Sequence, residues 1–475
     1  KETNLFSYNY SSGKIESLEI GVSSGFSKQL SLDKYNRIWI GTWKKGLYRS
    51  NATLSKFEKI ELVPENSVRL KGNYSTILNI HHDKNNVTWL STAGGGVVKI
   101  LEGNQFYNID KAIKNSEIKD FLNCTDFFKN EKFIFVGTLL KGVYYGTNFS
   151  DLKKIEALGD VKINSFYHHQ NNLYIATAEG FAIFDLDKEK ITFSNNKLKK
   201  VTAFLIENDT IYIGTQENGL AIANINSLEN ADSYVFYIEQ LKERKLQSNR
   251  ITKITKDKQQ NIWVATYNGF HVFDKEKKVF IHQNQLLKEK LPSVIINSMA
   301  VRDGKVWLAT PNGLVKLTKD GESLKVEDII SKKDGLNSDF ICAVTFDNQS
   351  NVWFTTHTEI VKYDYINKAF ISYGETNGVR TTSFNNNSSF NFNGETIYFG
   401  GIDNITYFDP SKIKNFDAIP EIIFTNLRVN NQIISFEEGS NILSKDYNYV
   451  NEINLNYQQN FFSTAFVVND YLGNL

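Results

Sequence analysis

The chain has 475 residues, with 54 Lys and Arg against 53 Asp and Glu, and 41% of it is hydrophobic and 13% aromatic. That length exceeds one compact core and predicts two or three domains. The net charge of +1 excludes a polyelectrolyte binder of nucleic acid, and five prolines amid so much apolar material exclude a disordered chain. Two cysteines, Cys124 and Cys342, stand far apart, outside any metal-ligand spacing, and read as small buried hydrophobes rather than a disulfide framework.

Taken in chain order, residues 5–20 (LFSYNYSSGKIESLEI) read as two outer strands ahead of a repeat. The repeat begins at Ile38-Trp39-Ile40-Gly41-Thr42, followed by Gly46-Leu47-Tyr48, and returns around Trp89, Phe135, Tyr174, Tyr212, Trp263, Trp307, Trp353 and Tyr398. Successive aromatic anchors lie 50, 46, 39, 38, 51, 44, 46 and 45 residues apart. Each copy has an aromatic and β-branched run, a small residue with Thr, a loop with Gly and a second apolar run. That is a strand, a tight turn and an antiparallel strand. A further apolar run lies upstream, as in Ile77-Leu78-Asn79-Ile80, and a weaker one downstream, as in Phe106-Tyr107 or Phe280-Ile281. Asp33, Asp83, Asp257 and Asp347 each fall six residues before a tryptophan and read as turn formers. Four short strands in 38–51 residues make a propeller blade, since one such sheet cannot cover both of its own faces.

Seven motifs, from Phe135 to Tyr398, suffice for a seven-bladed ring, with those at Trp39 and Trp89 left over. The reading is therefore all-β: residues 1–112 as the last blades of an N-terminal propeller, 113–415 as a complete seven-bladed propeller of four-stranded blades, and 416–475 as the start of an immunoglobulin-like β-sandwich. A single nine-bladed ring is the competing count. The sandwich is expected from Pro420 through Leu427, where the repeat has stopped, with Ile453–Tyr457 as a further strand.

These repeats resemble the two-component-regulator propeller repeats of the hybrid two-component sensors of gut Bacteroidetes. The blade from Ile397-Tyr398-Phe399-Gly400-Gly401 to Asp409-Pro410 looks like the last blade of that family, and Pro420 to Val429 like the entry to its Y-Y-Y domain. Glu359 and Asn404 depart from the pattern where a loop glycine is usual, and Thr355 where Gly or Ala is. The resemblance implies a periplasmic ligand sensor of an inner-membrane protein, joined to a kinase and a regulator by a C-terminal membrane helix outside this segment. It implies oligosaccharides from complex glycans as inputs and transcription of glycan-utilisation genes as output. A homodimer is expected, with no nucleic-acid contact by this segment.

A search for chemistry finds no nucleophile elbow, zinc-protease helix or phosphate-binding loop, so no catalytic residue, cofactor or metal is nominated. His81-His82 and His168-His169 are strand neighbours that point to opposite faces and suit no shared metal. Blade topology puts the loop between second and third strands on the same face as the connection between blades. That face would collect Trp43, Lys44, Lys45, Lys141, Tyr267, Asn268 and His357 from the loops, and Arg250, Asn337, Arg380 and Asn385 from the connections. Aromatic rings with Arg, Asn and His suit a sugar, with a ring on its apolar face and polar groups on its hydroxyls. Each of these residues taken singly reads more readily as an ordinary solvated loop residue, and only the set points to a ligand. Two other functions stay open: a propeller lyase resembling the streptogramin lyases, and a protein-interaction scaffold.

Overall fold

The structure, a computed structural model, describes residues 2–23, 27–60, 62, 73–83, 87–100, 106–109, 123–149, 151–240, 246–281, 290–302, 304–320, 323–364, 368–413, 421–436, 442–443, 445–446, 449–450 and 452–469. Two compact units are present, one of residues Asn104–Ile413 and one combining Lys1–Gly103 with Lys414–Leu475.

The unit Asn104–Ile413 is a seven-bladed propeller of four-stranded antiparallel sheets. Blades I to VI open with the inner strands Cys124–Lys129, Ile163–His169, Val201–Glu207, Ile251–Lys256, Ser298–Arg302 and Ala343–Phe346; the inner strand of blade VII is Phe384–Phe392. Inner strands of successive blades pack on one another, and that of blade VII packs on that of blade I, so the ring closes. Apolar residues on both faces of each sheet fill cores between adjacent blades. One core joins Tyr174 and Phe181 of blade II to Val201 and Phe204 of blade III, and the next joins Leu205 and Leu220 to Ile251 and Val264 of blade IV. The anchors Trp263, Trp307 and Trp353 are buried in such cores.

The repeated residues have separate tasks. The small residue after the anchor lets the next blade close in: a Cβ at Gly137 would lie 2.7 Å from Ile163 Cγ2, and one at Gly214 2.7 Å from Ile251 Cγ2. The Thr that follows donates its hydroxyl to the carbonyl of the loop glycine, as Thr138 does to Gly142 (2.9 Å) and Thr266 to Gly269 (2.8 Å). The Asp six residues before the tryptophan does more than shape a turn. Asp257 Oδ1 accepts the Asn261 amide (2.8 Å), while Oδ2 accepts the indole N–H of Trp263 (3.0 Å). Asp33, Asp83 and Asp347 hold Trp39, Trp89 and Trp353 the same way.

Blade VII is completed from the other end of the unit. Its outer strand is Tyr107–Asn108, which pairs with Tyr407 and Thr406. The Tyr107 ring stacks on Tyr407 at 5.0 Å, and Phe106 packs against Phe408 and Tyr373. The Asn108 side chain donates to the Gly378 carbonyl (2.7 Å) and accepts from the Arg380 amide (3.0 Å). Phe106-Tyr107 therefore does not complete the blade of Trp89, as its sequence position suggests. The expected boundaries at 112/113 and 415/416 lie outside the described residues, but the pairing of Tyr107 places the start of the ring earlier than residue 113.

In the other unit, Glu2–Asn9 and Lys14–Ser23 form a hairpin. A four-stranded blade follows in Ser27–Leu32, Ile38–Thr42, Leu47–Ser50 and Phe57–Ile60, then a three-stranded sheet in Ile77–His82, Thr88–Thr92 and Gly96–Ile100. Trp39 is buried with Ile77, Ile80 and Leu90, whereas Trp89 is only half-buried. A further sheet orders Gln432–Ile433, Glu421–Val429 and Phe462–Asn469. Pro420 lies outside the described residues. Ile453–Tyr457 is not a strand: among the described residues no strand pairs with it, and Tyr457 is 86% exposed.

Candidate ligand site on the propeller axis

Four inner strands carry a register shift at the same place, between Cys124 and Asp126, Ile163 and Ser165, Val201 and Ala203, and Ile251 and Lys253. The extra residue of each bulge, Thr125, Asn164, Thr202 or Thr252, lines a cavity of about 380 Å³ among the inner strands. Several of these polar side chains bridge to the next blade. Thr125 donates to the Ile163 carbonyl (2.6 Å), Asn164 to that of Val201 (2.6 Å), and Asn297 of blade V to that of Ile341 (2.8 Å). The pattern breaks at Thr202 and Thr252, whose buried hydroxyls have no hydrogen-bond partner among the described residues.

Blade VII supplies a wall. Between the pairs Phe384–Gly401 and Ser389–Phe399 its inner strand sets residues 385–388 against Gly400 alone. Asn387, at φ 59°, accepts from the Ser298 hydroxyl of blade V (3.0 Å), and its amide reaches the Thr252 carbonyl of blade IV (3.5 Å). Asn385 donates to Asn123 (2.8 Å) and to the Cys124 carbonyl (2.6 Å) of blade I. Blade IV lies opposite blade VII in the ring and blade V two places from it, so the asparagine run reaches across the axis.

Loops between second and third strands do flank the connections between blades. The Leu139 amide donates to the Asn123 carbonyl (2.9 Å), Ala178 to Lys162 (2.9 Å), Gln216 to Lys200 (2.9 Å) and Tyr267 to Arg250 (3.1 Å). Of the residues nominated from sequence, Arg250, Tyr267, His357 and Asn385 line the cavity. The Arg250 guanidinium lies over the Tyr267 ring at 3.6 Å, so that ring face holds an arginine rather than standing open to a sugar. His357 stacks on Phe340 at 4.3 Å, with Nδ1 3.9 Å from Cys342 Sγ. Burial pushes the Cys342 thiol up to about 12, so it is no nucleophile.

The other nominated residues lie outside the cavity lining. Asn268 ties its own loop to the Gln247 carbonyl (3.0 Å), and Asn337 donates to Glu359 (2.7 Å). Arg380 is exposed beside the closing strand, and the Lys141 side chain is exposed. Trp43, Lys44 and Lys45 are exposed and belong to the other unit, where the Lys44 amide donates to Thr76 (3.1 Å).

Sequence reasoning missed Lys162 and the bulge residues. Lys162 lines the cavity, and burial, then the charge of Arg250, hold its ammonium below the ordinary lysine range. Beside the cavity, Asp126 accepts the Phe166 amide (2.8 Å); burial pushes its carboxyl up to about 6 against the opposing pull of Lys253. Among the described residues no cluster of three His, Cys, Asp or Glu side chains could hold a metal ion.

Residues 245–268, spanning the connection into blade IV and its first two strands, match the two-component regulator propeller family. The chain is 26% identical over 424 residues to histidine kinase P4 of Formosa agariphila, a stretch covering 86% of this chain and 28% of that protein. Its fold is similar to the extracellular domain of a hybrid two-component system from B. thetaiotaomicron, with a TM-score of 0.71 at 22% identity, over 98% of this chain and 61% of that one. A second such extracellular domain from B. thetaiotaomicron gives a TM-score of 0.54 at 19% identity, over 98% of this chain and 63% of the other. The chain thus spans less than two thirds of each of these relatives. No helix among the described residues is long and apolar enough to cross a membrane.

Proposed function

We propose that this chain is the extracytoplasmic sensing region of a hybrid two-component histidine kinase and response regulator, and that the axial cavity receives a glycan-derived oligosaccharide. On this reading the chain works in the periplasm as a homodimer, with a membrane helix relaying occupancy to a kinase that controls polysaccharide-utilisation genes. Similarity to a histidine kinase and to the extracellular domains of two hybrid systems supports the sensing role.

The cavity supports the ligand class. Its volume of about 380 Å³ suits a small ligand, and amides and hydroxyls line it on several sides. The single observation that carries the reading is the pair of buried, unpartnered hydroxyls at Thr202 and Thr252. A buried hydroxyl without a partner costs about 1–3 kcal/mol; both hydroxyl oxygens are closed off as they stand, and rotation of either threonine toward the cavity lets a polar ligand supply the partner and recover that cost.

Replacing both threonines by valine keeps their shape and removes the hydroxyls. The double variant should fold with equal or greater thermal stability while losing about tenfold or more in affinity for oligosaccharides, read by titration calorimetry. An oligosaccharide panel that binds wild type and double variant equally, or binds neither, overturns the assignment of this cavity.

A further inference from the structure

We propose that the ligand of the axial cavity is anionic, with Lys162 and Arg250 receiving its carboxylate or sulfate group. This rests on the oligosaccharide reading above and narrows it to acidic sugars. Lys162 and Arg250 line the cavity together, while among the described residues no Asp or Glu lines it. Among the described residues neither cation makes a salt bridge, and Arg250 is instead stacked on Tyr267 at 3.6 Å. That stack covers one face of the guanidinium and leaves its edge of N–H donors in the plane, the geometry that grips a carboxylate or sulfate.

Holding two cations near each other without a counter-charge works against folding. Exposed Lys132 and Lys199 and half-buried Lys200 are paired with Glu189, Glu179 and Glu217. Lys162 is more buried than Lys132 and Lys199 and lacks such a partner among the described residues. Its lowered proton affinity has the same origin, namely burial followed by the Arg250 charge. Asp126, the buried carboxylate on the neighbouring inner strand, faces Lys253 and the Phe166 amide, and it does not line the cavity. An anion entering the cavity would relieve the repulsion and gain charge-assisted hydrogen bonds.

The test uses the whole chain and five probes: a uronate oligosaccharide, its carboxyl-reduced neutral counterpart, a sulfated oligosaccharide, its desulfated form, and inorganic sulfate. Binding is read by calorimetry at low and high ionic strength, for wild type, Lys162→Gln, Lys162→Arg and Arg250→Gln. Lys141→Gln serves as a control outside the cavity.

The expected result is tighter binding of an acidic probe than of its neutral counterpart and weakening by salt. Lys162→Gln and Arg250→Gln should each lose about tenfold, with Lys162→Arg retaining affinity. Whether the uronate or the sulfated probe binds identifies the anion. Equal binding of acidic and neutral probes, or indifference to both Gln variants, overturns the anion assignment while the sugar reading stands. Sulfate binding that depends on Lys162, without binding of any sugar, keeps the anion site and sinks the sugar reading. Binding of no probe overturns both.

Discussion

Replacing Asp257 by alanine removes the acceptor of three hydrogen bonds at once. Trp263 is 1% exposed, so its indole N–H, 3.0 Å from Oδ2, would be left in the core between blades IV and V with nothing to bond. That orphaned donor costs about 1–3 kcal/mol. The Asn261 amide and side chain, 2.8 and 2.7 Å from the carboxylate, sit in a half-exposed turn and can turn to water, adding about 1 kcal/mol. A total of about 3 kcal/mol corresponds to roughly hundredfold faster exchange of the protected amides of that blade. Hydrogen exchange read by mass spectrometry on peptides covering Ile251–Asp274 measures it in the intact chain. Trp263→Phe keeps most of the ring but has no N–H to strand. In a double-mutant cycle the two changes should therefore couple by about 1 kcal/mol or more. If Asp257→Ala leaves exchange within about threefold of wild type, or the two changes simply add, the aspartate is only a turn former and the reasoning fails.

Gly214→Val should cost about 1–3 kcal/mol, because a Cβ there already meets Ile251 Cγ2 at 2.7 Å, and exchange should quicken in both blades III and IV. Unchanged protection in blade IV would show that the close approach is dispensable. Burial would raise the Asp33 carboxyl, but hydrogen bonds from Trp39, Arg37 and two turn amides outweigh it and hold the group at about 2, against an ordinary 3.8. A depressed folded value contributes stability above about pH 4 that is lost as pH falls towards 2. Asp33→Asn should accordingly melt below wild type at pH 7, with the gap closing near pH 2; a gap independent of pH sinks this. Cys124 and Cys342 are both buried, with thiols pushed up by burial, so neither should react with a thiol reagent until denaturant is added. Stoichiometric labelling of the native chain would contradict their packing.

The blades were legible because their signals are local and repeated. Alternation marks the strands, and the small residue and Thr after each anchor mark the loop, so Ile262–Thr266 and Gly269–Asp274 could be read directly. The tie from aspartate to indole was half legible: the six-residue spacing was visible, but the bond depends on a side chain turning inward across a hairpin. A one-residue bulge leaves almost no trace in hydrophobic periodicity. Thr125, Asn164, Thr202 and Thr252 consequently pass for ordinary strand residues until the register is known. Lys162 escaped because nothing in its neighbourhood distinguishes it from the many solvated lysines. Tyr267 and Arg250 were both legible as lying on one face, yet their stacking on each other, which alters what each can offer a ligand, is a tertiary fact. At the C-terminal end the sequence misled, since the alternation in Ile453–Tyr457 looks like a strand and, among the described residues, has no partner to make it one.

The closing strand has a mechanical consequence. Both chain connections of the ring leave from blade VII, one before Tyr107 and the other after Phe408. Tyr107–Asn108 runs antiparallel to Ile405–Phe408, with Tyr107 opposite Tyr407 and Asn108 opposite Thr406. Tension drawn between the two connections would therefore load the pairs one after another, as in a zipper, rather than all together in shear. The ring would yield first at the Tyr107–Tyr407 pair, and the Asn108 side chain, gripping Gly378, Arg380 and Thr406, is the next catch along that line. A pull transmitted along the backbone would thus meet its least resistance at the seam, while the six other blades stayed whole.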